Sequence, residues 1–192
     1  LGFDLGEHPK LATSLSFLES SVKPNGEVGT SLNDEPRIYS ALVTMWAIHG
    51  YSEKAKLIAR YLKDSRDPLT GGWGPRENAK ANPAKTAQVL HALLQTNLLD
   101  PNDVITHQAV KYIIDNQLSD GSWNNFFEEW YSDFQSHIPL RHSDHTITWA
   151  IRALVDAGVP VSSEPLAKAL SWLISNQTEE GYWLYDPLDD SK

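Results

Sequence analysis

The chain has 192 residues, no cysteine and a formal charge of −9, and 41% of its residues are hydrophobic. That is the size of one domain with enough apolar residues for a core. Disulfides, thiolate zinc sites and cysteine nucleophiles are excluded, and the acidic balance argues against nucleic acid or an anionic membrane as partner, because both need a basic face. No apolar run approaches the length of a transmembrane helix. No signal peptide is visible and the chain opens on Leu1, not Met. A processed form or an excised piece of a longer protein is therefore expected, in the cytoplasm or at the periphery of a membrane. Asn176-Gln177-Thr178 fits a glycosylation sequon, but it lies inside a repeated turn and chance accounts for it.

Residues 1–8 form a glycine-containing lead-in. The spacing then predicts a helix from about Pro9 to Ser20, with Leu11, Leu15 and Leu18 on one face. Asp34 and Pro36 read as an N-cap and an early-helix proline. The helix they open (Ile38, Tyr39, Ala41, Leu42, Val43, Met45, Trp46, Ala47, Ile48) is apolar nearly all round, so burial on most sides is expected until Gly50 ends it. Ser52 caps a third helix with Ala55, Ile58, Ala59 and Leu62 inward and Glu53, Lys54, Lys56, Arg60 and Lys63 outward. Asn82-Pro83 opens an apolar helix from Ala87 to Leu98. Asp103 sits in the first turn of a fifth helix, where a carboxylate suits the helix dipole, with Ile105, Ala109, Tyr112 and Ile113 on one face. An apolar helix from about Ser143 to Gly158 follows a long aromatic segment. Ser163 and Pro165 open the last helix, through Ala169, Leu170 and Leu173.

Between these helices one turn recurs. It reads Gln117-Leu118-Ser119-Asp120-Gly121-Ser122-Trp123, again Gln177-Thr178-Glu179-Glu180-Gly181-Tyr182-Trp183, blurred as Asp67 to Trp73, and fainter as Lys23 to Val28, which lacks the Trp. Such a repeat means a repeat architecture. Glycine lets the chain leave the helix with positive φ, Trp can wedge between units with its indole N–H on a carbonyl, and Gln can bond free backbone groups. Each unit is an amphipathic helix, the turn, and an apolar helix, with bounds near 9–50, 51–98, 100–158 and 163–192. The predicted fold is all-α, with amphipathic helices outside and apolar helices inside. No segment alternates with strand period, so no meaningful sheet is expected.

Asn-Gln-Leu-Ser-Asp-Gly-Ser-Trp after Ala109 to Ile114, and Asn-Gln-Thr-Glu-Glu-Gly-Tyr-Trp after Ala169 to Ile174, resemble the QW motifs of the prenyltransferase/squalene-cyclase repeat. The resemblance covers roughly residues 9–185 and implies an α/α toroid, the fold of class II terpene cyclases and of protein prenyltransferase β subunits. A closed ring of that kind needs more helices than the about seven counted here. A fragment, a ring completed by a partner chain or missing segment, and an open divergent module are all compatible with that count.

Class II cyclases carry Asp-x-Asp-Asp-Thr at the start of an inner helix, and the middle Asp protonates an alkene or epoxide. Laid on Arg141-His142-Ser143-Asp144-His145-Thr146, the resemblance puts the first Asp on His142, the acid on Asp144, the last Asp on His145 and the Thr on Thr146. The chemistry needs a carboxylic acid held protonated in a dry cavity. His142 and His145 can hydrogen-bond it, though charged histidines would favour its ionised form. The structural alternative makes Ser143 or Asp144 an N-cap. A metal reading takes His142 and His145, three residues apart on a helix, with His137 or Asp133. The zinc site of prenyltransferases uses a Cys and cannot exist here in that form, so neither metal nor cofactor is expected. His49 and His91 lie on apolar helices and read as core or pocket-lining residues.

Phe127, Trp130 and Tyr131, in the long insert from Asn124 to Gln135, can cover a cavity mouth or hold a cation by cation–π contact; packing over helix ends is the alternative. Tyr39, Trp46 and Trp149 on inner helices are substrate-contact candidates for the same reason, with core packing as the alternative. Asp186-Pro187-Leu188-Asp189-Asp190 reads as an acidic loop. The functional expectation is protonation-initiated cyclisation of an apolar isoprenoid. Its alternatives are a non-catalytic binding module, or fragment of a larger toroid protein, and a carbohydrate-active toroid enzyme with paired carboxylates.

Overall fold

The computed structural model describes residues 8–29, 36–124, 126–129, 140–143 and 145–183, with backbone alone for 126–129 and 140–143. The elements run α1 (Pro9–Ser21), α2 (Ile38–Ile48), α3 (Lys54–Asp64), α4 (Pro83–Gln95), α5 (Val104–Asp115), β1 (Phe126–Glu129), β2 (Leu140–Ser143), α6 (Thr146–Asp156) and α7 (Glu164–Ser175). They form two layers. The apolar helices α2, α4 and α6 lie side by side, with α4 in the middle and packed chiefly on α6. The amphipathic helices cover them from outside: α3 on α2, α5 on α4, α7 on α6. Ala55, Ile58, Ala59 and Leu62 of α3 are buried and Lys56 and Arg60 are exposed, as the helical period requires. No helix among the described residues is long and apolar enough to cross a membrane.

Local chemistry starts several helices where the sequence places the signal. Asn82 accepts the Lys85 N–H through its side chain at 2.8 Å, with Pro83 at the first helical position. The Asp103 carboxylate accepts the Ile105 N–H at 2.8 Å, which makes it the N-cap of α5. Two starts differ from expectation. Helix α2 begins at Ile38 with Arg37 as its extended N-cap, because Pro36 is engaged in a β-bridge with Gly29; Asp34 lies outside the described residues. Helix α6 begins only at Thr146. Ser143 belongs to β2, and the N-cap is His145 in left-handed backbone with φ +48°, without a side-chain cap bond. The expectation of no sheet is corrected by one antiparallel ribbon, Phe126 opposite Ser143 and Phe127 opposite His142, which joins the third turn to α6.

The repeated turn has one construction. A backbone N–H bonds a carbonyl four residues on: Lys23 to Glu27 at 3.0 Å, Leu118 to Ser122 at 2.8 Å and Thr178 to Tyr182 at 2.8 Å. In the second unit the span is five, Asp67 to Gly72 at 2.9 Å, so this turn holds one extra residue. The indole bonds agree. Trp123 and Trp183 donate to Ile113 and Leu173, ten residues back, at 2.7 Å, whereas Trp73 donates to Leu62, eleven back, at 2.6 Å. By the same alignment the buried Val28 stands where the other units have Trp. The turn glycines take φ between +77° and +93°. That conformation is open to glycine at little cost.

The turn also joins neighbours. A Cβ on Gly26 would meet the Leu57 carbonyl of α3 at 2.5 Å, one on Gly71 the Gln108 Cβ of α5 at 2.8 Å, and one on Gly121 the Lys168 backbone of α7 at 2.6 Å. Each turn therefore seats on the next outer helix. Gln117 spans the third joint, donating from Nε2 to the Gly121 carbonyl and to the Pro165 carbonyl of α7, both at 2.9 Å. Asp120 adds a carboxylate that accepts the Ser122 N–H at 2.9 Å. That bond is the main reason its pKa lies below the usual carboxylate value, and Trp172 of α7 adds to it.

Candidate functional site

The inner helices are less covered on the side turned away from the outer layer. On α2, Tyr39, Val43 and Trp46 recur at helical spacing and are partly exposed, Trp46 by 38%. This corrects the expectation that α2 is buried nearly all round. Opposite them α6 presents the half-buried Trp149 and Asp156 and the exposed Arg152. Between the two, α4 contributes Lys85, Gln88, His91 and Gln95 from one helical stripe. The Lys85 ammonium lies 5.3 Å from the Tyr39 ring centroid and donates to Gln88 Oε1 at 3.2 Å. The Arg152 guanidinium lies 5.8 Å from the Trp149 ring. The face has aromatic walls and a polar floor.

His91 is the centre of this floor. It is 3% exposed. Its Nδ1 is in short contact with Asp156 Oδ2, and the second carboxylate oxygen accepts Gln95 Nε2 at 2.8 Å. Both indoles lie against the imidazole, Trp46 edge-on at 5.2 Å and Trp149 tilted at 5.7 Å between centroids. Its Nε2 is buried and finds no hydrogen-bond partner among the described residues. Leaving such an atom unpaired costs about 1–3 kcal/mol, and an apolar residue of the same shape would carry no such cost. The carboxylate selects the tautomer with the proton on Nδ1, and in that neutral tautomer Nε2 carries the lone pair. A carboxylate-oriented imidazole also suits a metal, but no group of three His, Cys, Asp or Glu side chains gathers among the described residues.

The family profile described as the squalene-hopene cyclase C-terminal domain matches residues 31–189. The chain belongs to that family. It is 31% identical over 87 residues to a squalene–hopene cyclase of Zymomonas mobilis, a match covering 45% of this chain and 13% of that protein. It is 30% identical over 85 residues to the lanosterol synthase erg7A of Aspergillus fumigatus, covering 43% of this chain and 11% of the relative. The matched stretches are thus a small part of those relatives' length. As a squalene-hopene cyclase C-terminal domain the chain has an α/α toroid fold, and its two helical layers are the corresponding arc.

Within this cyclase-type domain the expected site residues fall into three groups. Tyr39, Trp46, His91 and Trp149 come together on the inner face. Asp144, Trp130 and Tyr131 lie outside the described residues, as do His137, Asp133 and the acidic loop after Trp183. Phe127 and His142 are placed by backbone only, as cross-strand partners in β1 and β2. His145 is exposed at the N-cap of α6. His142 and His145 therefore do not share a helix face, which removes the basis of the helical metal pair. Thr146, the matching Thr, is fully buried and its hydroxyl donates to the Asn124 carbonyl at 3.0 Å. Thr86 is tied to the preceding turn in the same way, accepting the Trp73 N–H at 2.9 Å. A structural tie thus accounts for Thr146. His49 is exposed, so it is not a core residue.

Asp156, Gln95, Lys85 and Arg152 were not among the expected site residues. One signal was available: Asp156 is the single acid in α2, α4 and α6. A lone acid near the end of an apolar helix asks for a partner, but 65 residues separate it from His91.

Proposed function

We propose that this chain is the isoprenoid-binding arc of a terpene-cyclase-like toroid, and that the bound chain is cyclised after protonation by Asp144. The observation that carries the reading is the presentation of Tyr39 and Trp46 by α2 and of Trp149 by α6, on either side of His91 of α4, in a chain of this family. The relatives named as a squalene–hopene cyclase and a lanosterol synthase support the same substrate class. Asp144 stands two residues before α6, the helix that carries Trp149 onto the inner face. In the proposed step the protonated carboxyl gives its proton to an alkene or epoxide carbon or oxygen. The cation left on the substrate is attacked by a neighbouring double bond, which closes a ring and moves the charge to the next carbon; that final cation loses a proton to water, and the carboxylate takes a proton back from solvent. Exposed indole faces lower the energy of the cation.

Asp144→Asn tests this directly. Loss of cyclised product from an isoprenoid substrate, with an unchanged melting temperature, is the expected result; unchanged turnover removes Asp144 as the acid. A second reading, binding without turnover, is favoured by Lys85 and Arg152, whose charges lie over the Tyr39 and Trp149 rings. A cation developing beside them meets like charge. That reading expects a ligand-induced thermal shift and no product from the wild-type chain. The carbohydrate reading needs two facing carboxylates, and the inner helices hold only Asp156.

A further inference from the structure

We infer that His91 Nε2 is the acceptor of a hydroxyl-binding subsite, so that the inner face takes an apolar ligand ending in an alcohol. The inference deepens the isoprenoid reading and rests on it. Three observations lead to it. The atom is buried and unpartnered among the described residues. Asp156, itself held by Gln95, binds Nδ1 and so fixes which ring nitrogen is bare. The two indoles against the ring supply apolar contact for a carbon chain beside the acceptor.

The chemistry of the surroundings selects the donor. A metal ion lacks further ligands among the described residues. An ammonium group would meet the charges of Lys85 and Arg152 on the same face, while Asp156, the acid of the inner helices, already has both oxygens engaged. A neutral hydroxyl donates one proton to Nε2 and needs no countercharge. Trp46 is the indole exposed by 38%. It is the more exposed of the two indoles against the imidazole, and ligand entry to the buried Nε2 calls for a neighbouring side chain to move.

The test compares farnesol with farnesyl methyl ether, which keeps the chain and the oxygen but has no proton to donate. Binding to the full chain is followed by calorimetry. Farnesol is expected to bind at least about tenfold more tightly, because the ether leaves the acceptor unpaired. Asp156→Asn reverses the tautomer. Gln95 holds the amide oxygen, the amide N–H faces Nδ1, and the proton moves to Nε2. That nitrogen then donates to alcohol and ether alike, and the preference falls to about one. Nitrogen-15 NMR of the ligand-free wild type reads the same point, with a bare Nε2 and a protonated Nδ1 expected at His91. It decides the matter even if Asp156→Asn does not fold. Equal binding of alcohol and ether to the wild type, or a protonated Nε2 in the ligand-free chain, overturns the subsite and leaves the isoprenoid reading intact. Binding of neither compound overturns both.

Discussion

The third and fourth turns share Gln, Gly and Trp at the same spacing, and their local structure is nearly superimposable in its bonds. Gly121 and Gly181 have φ of +93° and +90°. Each Gln donates to the carbonyl of its Gly, and each indole donates to the carbonyl ten residues back. Their burial differs sharply. Trp123 is 4% exposed and Trp183 is 47% exposed. A Cβ on Gly121 would strike the Lys168 backbone, whereas the nearest atom to one on Gly181 is Gln177 Nε2 at 3.9 Å. The turn shape is thus intrinsic to the motif. Its contribution to stability comes from the outer helix seated on it, as expected when neighbour interfaces carry a repeat protein.

The largest contrast should come from the two indoles. Trp123→Ala is expected to cost about 3–5 kcal/mol, the range for deleting a buried Trp, and the half-exposed Trp183→Ala less than about 2 kcal/mol. Urea melts of the two variants measure this. Equal losses would mean that the fourth turn is covered in solution, which would break the comparison.

The glycines give a smaller contrast. Gly181→Ala meets only the left-handed backbone, for about 1–2 kcal/mol. Gly121→Ala adds a collision with backbone that cannot swing aside, for a total of about 2–5 kcal/mol. Thermal denaturation should rank them in that order; a reversal would place the strain in the turn and not in the joint.

The smallest effect concerns acid. The Ser122 N–H, then the Ser122 hydroxyl, and after them Trp172 across the joint, hold the Asp120 pKa below its ordinary value. Its stabilisation is therefore complete above the ordinary carboxylate range and lost as pH falls through the lowered folded value. Asp120→Asn should lower stability modestly at neutral pH and flatten that part of the acid-stability curve, so that variant and wild type converge in acid. An unaltered acid limb would show that the carboxylate adds nothing to the third joint.

The candidate site was legible only in part. Tyr39, Trp46, His91 and Trp149 announce themselves as large or titratable side chains on apolar helices. Which of them meet was not readable, because the contacts join α2, α4 and α6 across tens of residues. The start of α6 was misread for a related reason. Ser143 and Asp144 carry cap chemistry, but strand pairing with Phe126 removes Ser143 from the helix, and the left-handed His145 sets the boundary instead. Long-range pairing overrode a local propensity.

Helical period, capping residues and the repeated glycine determined by themselves that the chain forms layered helix pairs, because these are interactions within a few residues of one another. The one-residue extension of the second turn, the open stripe on α2 and the His91–Asp156 pair were decided only in tertiary structure. Each depends on which neighbour covers a surface. That is a property of how units stack, and no stretch of sequence within one unit encodes it.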